Sequence, residues 1–291
     1  MTFRTILIVG GTHGNERTGA RLVRHWSAEP GFVTRTGIAT ELLLANPSAV
    51  KANRRFIDRD LNRAFDPVDT ANTALEGQEN RLARALTRRF KPDGVPRCDL
   101  IIDMHTSTAN MGVTLISDTN PFNLKLAEAC RRRLSGARIY AFGPETLIHT
   151  GLRSMGRHGI GIEVGPTPQG VLRHEVLTQT RDAVGALLDV ASDINGNGWP
   201  VEGADVEVYL HESTVPFPMT PEGEVAAVVH RDLEGRDFMP IGTGDAVFQD
   251  LEGGTRRYEG TDGLYPVFIN EAAYYSSGKA FSLTRKIRLH L

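Results

Sequence analysis

The chain has 291 residues, 40% of them hydrophobic, 23% charged and 7% aromatic, with 33 Lys and Arg against 35 Asp and Glu and a formal net charge of −2. A chain this apolar and this close to neutrality is not disordered in the main, and it lacks the broad basic face of a nucleic-acid binder. Two cysteines, Cys98 and Cys130, cannot build a disulfide framework, and no run approaches the roughly 18 apolar residues of a membrane span.

The first element is a buried strand over residues 6–9, Ile-Leu-Ile-Val, too short for a signal-peptide core. With the reducing cysteines it gives the expectation of a soluble, cytoplasmic protein. A glycine-rich turn follows, then a helix over 16–28. Residues 41–45 predict a second strand, stopped by Asn46 and Pro47. Leu82, Leu86 and Phe90 recur at helical spacing within a helix over 76–90. Residues 99–103 and 112–116 predict two more strands, followed by a helix over 122–134. Extended runs at 137–142 and 159–164 precede a helix over 173–191. Strands alternating with helices predict an α/β fold on a mostly parallel sheet. Helical periodicity fades after residue 193, and runs such as 206–210 and 224–229 alternate between glycines and prolines. A catalytic domain over 1–198 and a β-rich domain over 199–291 are therefore expected.

The turn after the first strand reads Gly10-Gly-Thr-His-Gly-Asn-Glu-Arg-Thr-Gly19. His13 and Glu16 stand three apart, a spacing that a tight loop or one helical turn converges on a metal. Gly14 and Gly19 have the spacing of a phosphate loop, but Ala20 stands where its lysine would be. His105, just after Asp103, is expected on a Thr/Ser-rich loop at the carboxyl end of the third strand, where open α/β sheets bind ligands. Two histidines and a glutamate are the ligand set of a catalytic zinc with one position left for water. Asp103 is either an acceptor orienting a ligand ring or a loop cap.

Glu163 lies between Ile162 and Val164, where a carboxylate is costly to bury unless paired or working. A general base beside the metal is one reading, and a salt-bridged strand-end glutamate is the other. Arg55, Asn62 and Arg63 lie close together in a connecting region and suit a carboxylate, the guanidinium fork taking both oxygens. Arg153 offers a second cation. The remaining histidines (His25, His149, His158, His174, His211, His230 and His290) lack ligand spacing and are expected mostly at the surface.

On these residues the chain resembles the aspartoacylase and succinylglutamate desuccinylase family of zinc-carboxypeptidase-like hydrolases. The matching blocks are Gly-Gly-Thr-His-Gly-Asn-Glu at 10–16, Asp-Leu-Asn-Arg at 60–63, Asp-Met-His at 103–105, and the longer runs at 161–172 and 265–275. The resemblance implies a zinc-carboxypeptidase-like domain with a mostly parallel mixed sheet flanked by helices, and a β-rich domain that narrows the site. It implies one zinc per chain, held by His13, Glu16 and His105, and hydrolysis of N-acetyl-L-aspartate to acetate and L-aspartate by zinc-bound water. Glu163 would be the general base and then proton donor to the leaving amine, and Arg55 would polarise the scissile carbonyl. Asn62, Arg63 and Tyr274 would hold the α-carboxylate, Arg153 the side-chain carboxylate, and Glu271 would keep the Tyr274 loop in place. The implied partner is a small N-acyl amino acid, not nucleic acid or membrane, and the family suggests a homodimer.

The chain departs from the family's vertebrate aspartoacylases at His149, where they have tyrosine, and at Ser276-Ser-Gly278, which delays Lys279 by one position. Both departures touch the side-chain pocket and not the metal. Neutral or aromatic N-acyl-L-amino acids are the alternative substrates.

Overall fold

The alternation of the first two thirds becomes strands and helices close to their expected places, and the computed structural model describes residues 2–145, 151–199, 203 and 205–291. The chain runs through β1 (Thr5–Gly10), α1 (Arg17–Ala28), β2 (Ala39–Leu44), α2 (Pro47–Ala52), α3 (Pro67–Ala71) and α4 (Gln78–Phe90). Next come β3 (Leu100–Thr106), β4 (Gly112–Asp118), α5 (Pro121–Arg131), β5 (Arg138–Phe142), β6 (His158–Gly165) and α6 (His174–Asn197). The last third is β-rich: β7 (Asp205–Pro216), β8 (Ala227–Val229), β9 (Ala246–Asp250), β10 (Thr255–Arg257), β11 (Tyr265–Val267) and β12 (Lys279–His290).

Nine strands form one sheet in the order β11-β12-β7-β5-β4-β6-β3-β1-β2, and β10-β9-β8 form a second. In the large sheet β1 is parallel to β2 and β3, β3 to β6, β4 to β5, and β5 to β7. The antiparallel joints are β4 to β6, β7 to β12 and β12 to β11. The sheet is thus mixed but mostly parallel, and β7 and β12 of the last third complete it. The small sheet packs Val229 and Phe248 with Phe281 of β12.

The strands are apolar on both faces because helices cover both. One face packs Ile6, Ile8, Leu100, Ile102 and Met104 against Trp26 of α1, Leu124 of α5 and Leu187 of α6. The other packs Leu7, Val9 and Ile101 against Leu86 and Phe90 of α4, with Leu61 and Leu152. A fully buried Leu or Phe in such a layer contributes about 1.5–3 kcal/mol. By the two-residue period of a strand, Asp103 and His105 continue the Ile101 face past the end of that second layer. Farther along the same sheet Ile116, Tyr140, Tyr209 and Phe268 form another apolar cluster, and the polar site lies between the two.

Two boundaries differ from the sequence reading. β3 continues through His105 to Thr106, pairing with Glu163 and Val164 of β6, so His105 sits on a strand and not on a loop. α6 runs to Asn197 because Ile194 extends its buried stripe, and Gly198 at φ 84° ends it. The Asn195 side chain both accepts from the backbone N–H and donates to the backbone carbonyl of Phe3, each at 2.7 Å. The histidines outside the ligand set are not all at the surface: His230 is buried, and His158 stacks on Phe122 and bonds Asn123. Cys98 and Cys130 are buried and unpaired. Among the described residues, no helix is long and apolar enough to cross a membrane.

Candidate active site

The loop from β1 to α1 has to pass close against α2, and only glycine fits at its centre: a Cβ on Gly14 would lie 2.0 Å from the Ala49 carbonyl carbon. This passage aims His13 and Glu16 inward. Glu16 occupies the N-cap position of α1 without capping it. Its carboxylate instead meets His13 Nδ1 at 2.6 Å, His105 Nδ1 at 2.9 Å and the Arg55 guanidinium at 3.0 Å. Ligand atoms of His13, Glu16 and His105 all lie within 4.8 Å of one another, so the group could hold a metal ion.

Both rings direct Nδ1 at this focus, and each rests its Nε2 on a carboxylate. His13 Nε2 is 3.0 Å from Asp60 Oδ1, and His105 Nε2 is 2.9 Å from Asp103 Oδ2. An N–H donated outward leaves Nδ1 with its lone pair inward, the tautomer a metal needs. Asp103 also accepts from the Thr12 hydroxyl at 2.8 Å. Burial opposes the charge on Glu16, but His13 and His105 hold its carboxyl well below the usual range. Asp60 is likewise held down, its burial outweighed by His13 and Arg55.

Arg55, Asn62 and Arg63 lie on a segment with little secondary structure, and its order comes from one carboxylate. Glu79 of α4, 0% exposed, accepts backbone N–H groups from Ile57 at 2.8 Å, Asp58 at 3.0 Å and Arg59 at 3.3 Å, and the Asn46 amide at 2.9 Å. Arg55 then reaches Glu16 and Asp60. Asn62 Oδ1 accepts from Leu152 N–H at 2.9 Å, and its amide nitrogen lies 3.3 Å from His105 Nε2 at the cavity wall. Arg63 is exposed at the rim.

Glu163 stands beside His105 across β3 and β6 and beside Thr114 of β4. It makes no ion pair among the described residues, so the salt-bridged reading of this glutamate does not hold. Burial pushes its carboxyl well above the ordinary carboxylate range, opposed by His105 and reinforced by Glu16 and Glu271. Arg153, on a 3-10 turn (Leu152–Met155), also lacks an ion-pair carboxylate among the described residues. Burial lowers its pKa, while Asp103 and Asp118 act to restore it.

Tyr274 comes from the last third, on a 3-10 turn (Ala272–Ser277) capped by Glu271. Burial pushes its hydroxyl up to about 12, so it stays a proton donor at neutral pH. Glu271 also accepts from the hydroxyl of Ser107, from the backbone N–H of Thr108 at 2.8 Å and from the hydroxyl of Thr108 at 3.0 Å. It therefore ties the Tyr274 turn to the loop that follows His105. Lys279 Nζ lies 5.8 Å from the Tyr274 ring centre. His149 lies outside the described residues.

All nine residues singled out as ligands or substrate contacts line one cavity of about 360 Å³. Sequence reasoning missed Asp60 as a contact of His13, Glu79 as the anchor of the Arg55 segment, and the far wall of Asp118, Asn123 and Tyr140. Asp60 stood inside a recognised block, but nothing local pairs it with a histidine 47 positions away.

A family model described as the succinylglutamate desuccinylase/aspartoacylase catalytic domain matches residues 2–191, and one described as the AstE/AspA barrel-sandwich hybrid domain matches 204–286. The chain is 38% identical over 284 residues to a probable aspartoacylase of Acaryochloris marina, covering 97% of this chain and 96% of that one. It is 38% identical over 291 residues to an N-acyl-aromatic-L-amino acid amidohydrolase (carboxylate-forming) of Rattus norvegicus, covering 98% and 91%. The crystal structure of murine aminoacylase 3 matches with a TM-score of 0.94 at 37% identity, covering 99% of this chain and 97% of that one.

Proposed function

This chain belongs to the succinylglutamate desuccinylase/aspartoacylase family, and from that premise we propose that it hydrolyses N-acetyl-L-aspartate to acetate and L-aspartate at a zinc site. It is a hydrolase acting on amide bonds, with N-acyl amino acids as its substrate class. Zinc suits two imidazoles and a carboxylate whose rings are oriented by outer carboxylates. Bound there, zinc would acidify a water toward a pKa of about 7 and add positive charge opposite a developing oxyanion.

The chain's own groups supply the rest. Glu163 takes a proton from the attacking water and returns it to the departing amide nitrogen, a task suited to a carboxyl of raised pKa. Arg55, fixed by Glu16 and Asp60, keeps further N–H donors for the carbonyl oxygen as it gains charge. Asn62, Arg63 and the Tyr274 hydroxyl hold the α-carboxylate, and Arg153 holds the carboxylate of the side chain. Two clamps at fixed places orient the amide over the water.

The observation that carries the choice of aspartate is Arg153, a cation inside the cavity with no ion-pair carboxylate among the described residues. Asp103 and Asp118 favour its charge without forming an ion pair, and an anionic substrate side chain would pair with it directly. An aromatic substrate is the second reading, favoured by the Tyr140, Phe142, Phe268 and Tyr274 rings lining the same cavity. Acetate release from N-acetyl-L-aspartate and N-acetyl-L-tyrosine, before and after chelation and zinc return, separates the two. Activity on the aspartate compound that chelation removes and zinc restores is expected. Activity confined to the tyrosine compound would overturn the substrate, and indifference to chelation would overturn the metal.

A further inference from the structure

We propose that Gly161 is a specificity-determining position: its missing side chain leaves the groove in which the Arg153 guanidinium lies, and so sets the preference for an anionic substrate side chain. The inference rests on the reading of Arg153 as the side-chain clamp, and Gly161 acts through that residue as a positioning residue.

β6 presents Gly159, Gly161 and Glu163 on one face, by the period of two. Their neighbours on β3 are Ile101, Asp103 and His105, and those of Gly161 and Glu163 on β4 are Ile116 and Thr114. Side chains on both neighbouring strands thus flank Gly161, and its missing side chain leaves a gap between Asp103 and Ile116. The backbone does not demand glycine there, since Gly161 is not among the residues of positive φ. Glycine inside a strand weakens it and marks the close approach of another group. Here that group is Arg153.

The turn that carries Arg153 precedes β6 and folds back over it. A Cβ on Gly159 would lie 2.6 Å from the Arg153 carbonyl oxygen and 2.9 Å from its Cβ, and one on Gly161 would lie 3.7 Å from Nη1. The Arg153 side chain therefore runs along the strand, starting over Gly159 and ending over Gly161, two positions before Glu163. Asp103 and Asp118 both favour its charge. A Cβ on Gly161 would also sit 3.1 Å from Ile116 Cβ and 3.5 Å from its Cγ1, so an added methyl presses on Ile116 and only touches the guanidinium. A larger side chain has to take the guanidinium's own space. Displacing a clamp by an ångström is enough to cost about a hundredfold in rate.

The test measures kcat and KM for N-acetyl-L-aspartate and N-acetyl-L-alanine in the zinc-loaded wild type, Gly161→Ala, Gly161→Val, Arg153→Ala, and each glycine variant combined with Arg153→Ala. Gly161→Val should raise KM for the aspartate compound about tenfold and Gly161→Ala much less, with kcat/KM for the alanine compound within about threefold of wild type. Neither glycine variant should add to the loss once Arg153 is removed, because coupled residues are not additive. Equal losses on both substrates, or additive losses beside Arg153→Ala, would overturn the proposal.

Unfolding midpoints give a readout that survives loss of activity. Removing the Arg153 side chain should relieve part of the destabilisation caused by Gly161→Val, the remainder coming from Ile116, and a wholly unrelieved penalty would show that no groove is shared. If Arg153→Ala alone harms both substrates equally, the clamp reading fails and this proposal with it. If Arg153→Ala is selective and the glycine variants are not, only the role of Gly161 falls.

Discussion

At the scale of single residues, the nitrogen a histidine offers a metal is decided by what its other nitrogen touches. His13 and His105 each have a carboxylate behind the ring, Asp60 and Asp103. Replacing Asp60 with alanine should weaken zinc about 10–100-fold, read by competition with a chromophoric chelator. Unchanged affinity would leave Asp60 its bonds to Arg55 and to the backbone N–H of Asn62. Glu163→Gln should bind zinc as well as wild type while kcat falls about 10²–10⁴-fold; undiminished turnover in a zinc-replete preparation would remove Glu163 from the chemistry. The spacing of His13 and Glu16 was a weak signal by itself, and it gained weight only when His105, at the end of the third strand, completed a candidate ligand set. The outer carboxylates were harder to read. Asp103 was weighed from its neighbour, whereas Asp60 meets His13 only after the chain has folded back.

At the scale of elements, the segment carrying Arg55, Asn62 and Arg63 depends on Glu79 in the next long helix. The helix was legible from Leu82, Leu86 and Phe90, but a glutamate on it looks like any solvated charge until the chain from 57 to 59 is laid against it. Glu79→Gln keeps the size of the side chain and sets an amide N–H against backbone N–H groups. It should destabilise the protein by about 2 kcal/mol, an unfolding midpoint lower by roughly 5 °C, and reduce kcat/KM. The native pKa of Glu79 lies below its ordinary value: burial would raise it, but backbone N–H groups and Asn46 prevail. Its ionised form therefore stabilises the fold above the unfolded pKa of about 4.3. That stability is lost as pH falls through the lower native value, so the gap between wild type and Glu79→Gln should narrow as pH falls below about 4. A gap that does not narrow with falling pH would mean that shape, not charge, holds the segment. The ends of β3 and α6 were misjudged for a related reason. Thr106 is extended by pairing with β6, and Ile194 is helical because a distant core takes it in, contacts that local periodicity does not encode.

At the scale of the whole molecule, the change in pattern near residue 198 is visible in the sequence, but not that the strands beyond it finish the first sheet. Val206 and Val208 of β7 are buried with Ile139 of β5 in the same apolar cluster as α5 and α6. We therefore expect residues 1–198, expressed alone, to lack a cooperative thermal transition; a sharp transition in that fragment would show that the sheet closes without β7. For the whole chain, zinc binding only to the folded state should raise stability by about 2.7 kcal/mol when free zinc is a hundredfold above its dissociation constant. Chelation should lower the unfolding midpoint and zinc restore it, an effect absent if the three ligands hold no ion.

The place of β7 in the sheet also bears on how the protein is made. It pairs with β5 through Tyr140–Tyr209 and Ala141–Leu210, and β12 covers its other side. A ribosome that has just released α6 therefore holds a nascent chain whose β5 edge is bare, and an open edge is a template for any passing strand. The natural cover arrives only with the next stretch of translation, and the cover of that cover not until the last dozen residues. Pauses between α6 and β7 would prolong exposure of that edge, and crowded polysomes would raise the chance that a neighbouring nascent chain supplies the missing strand.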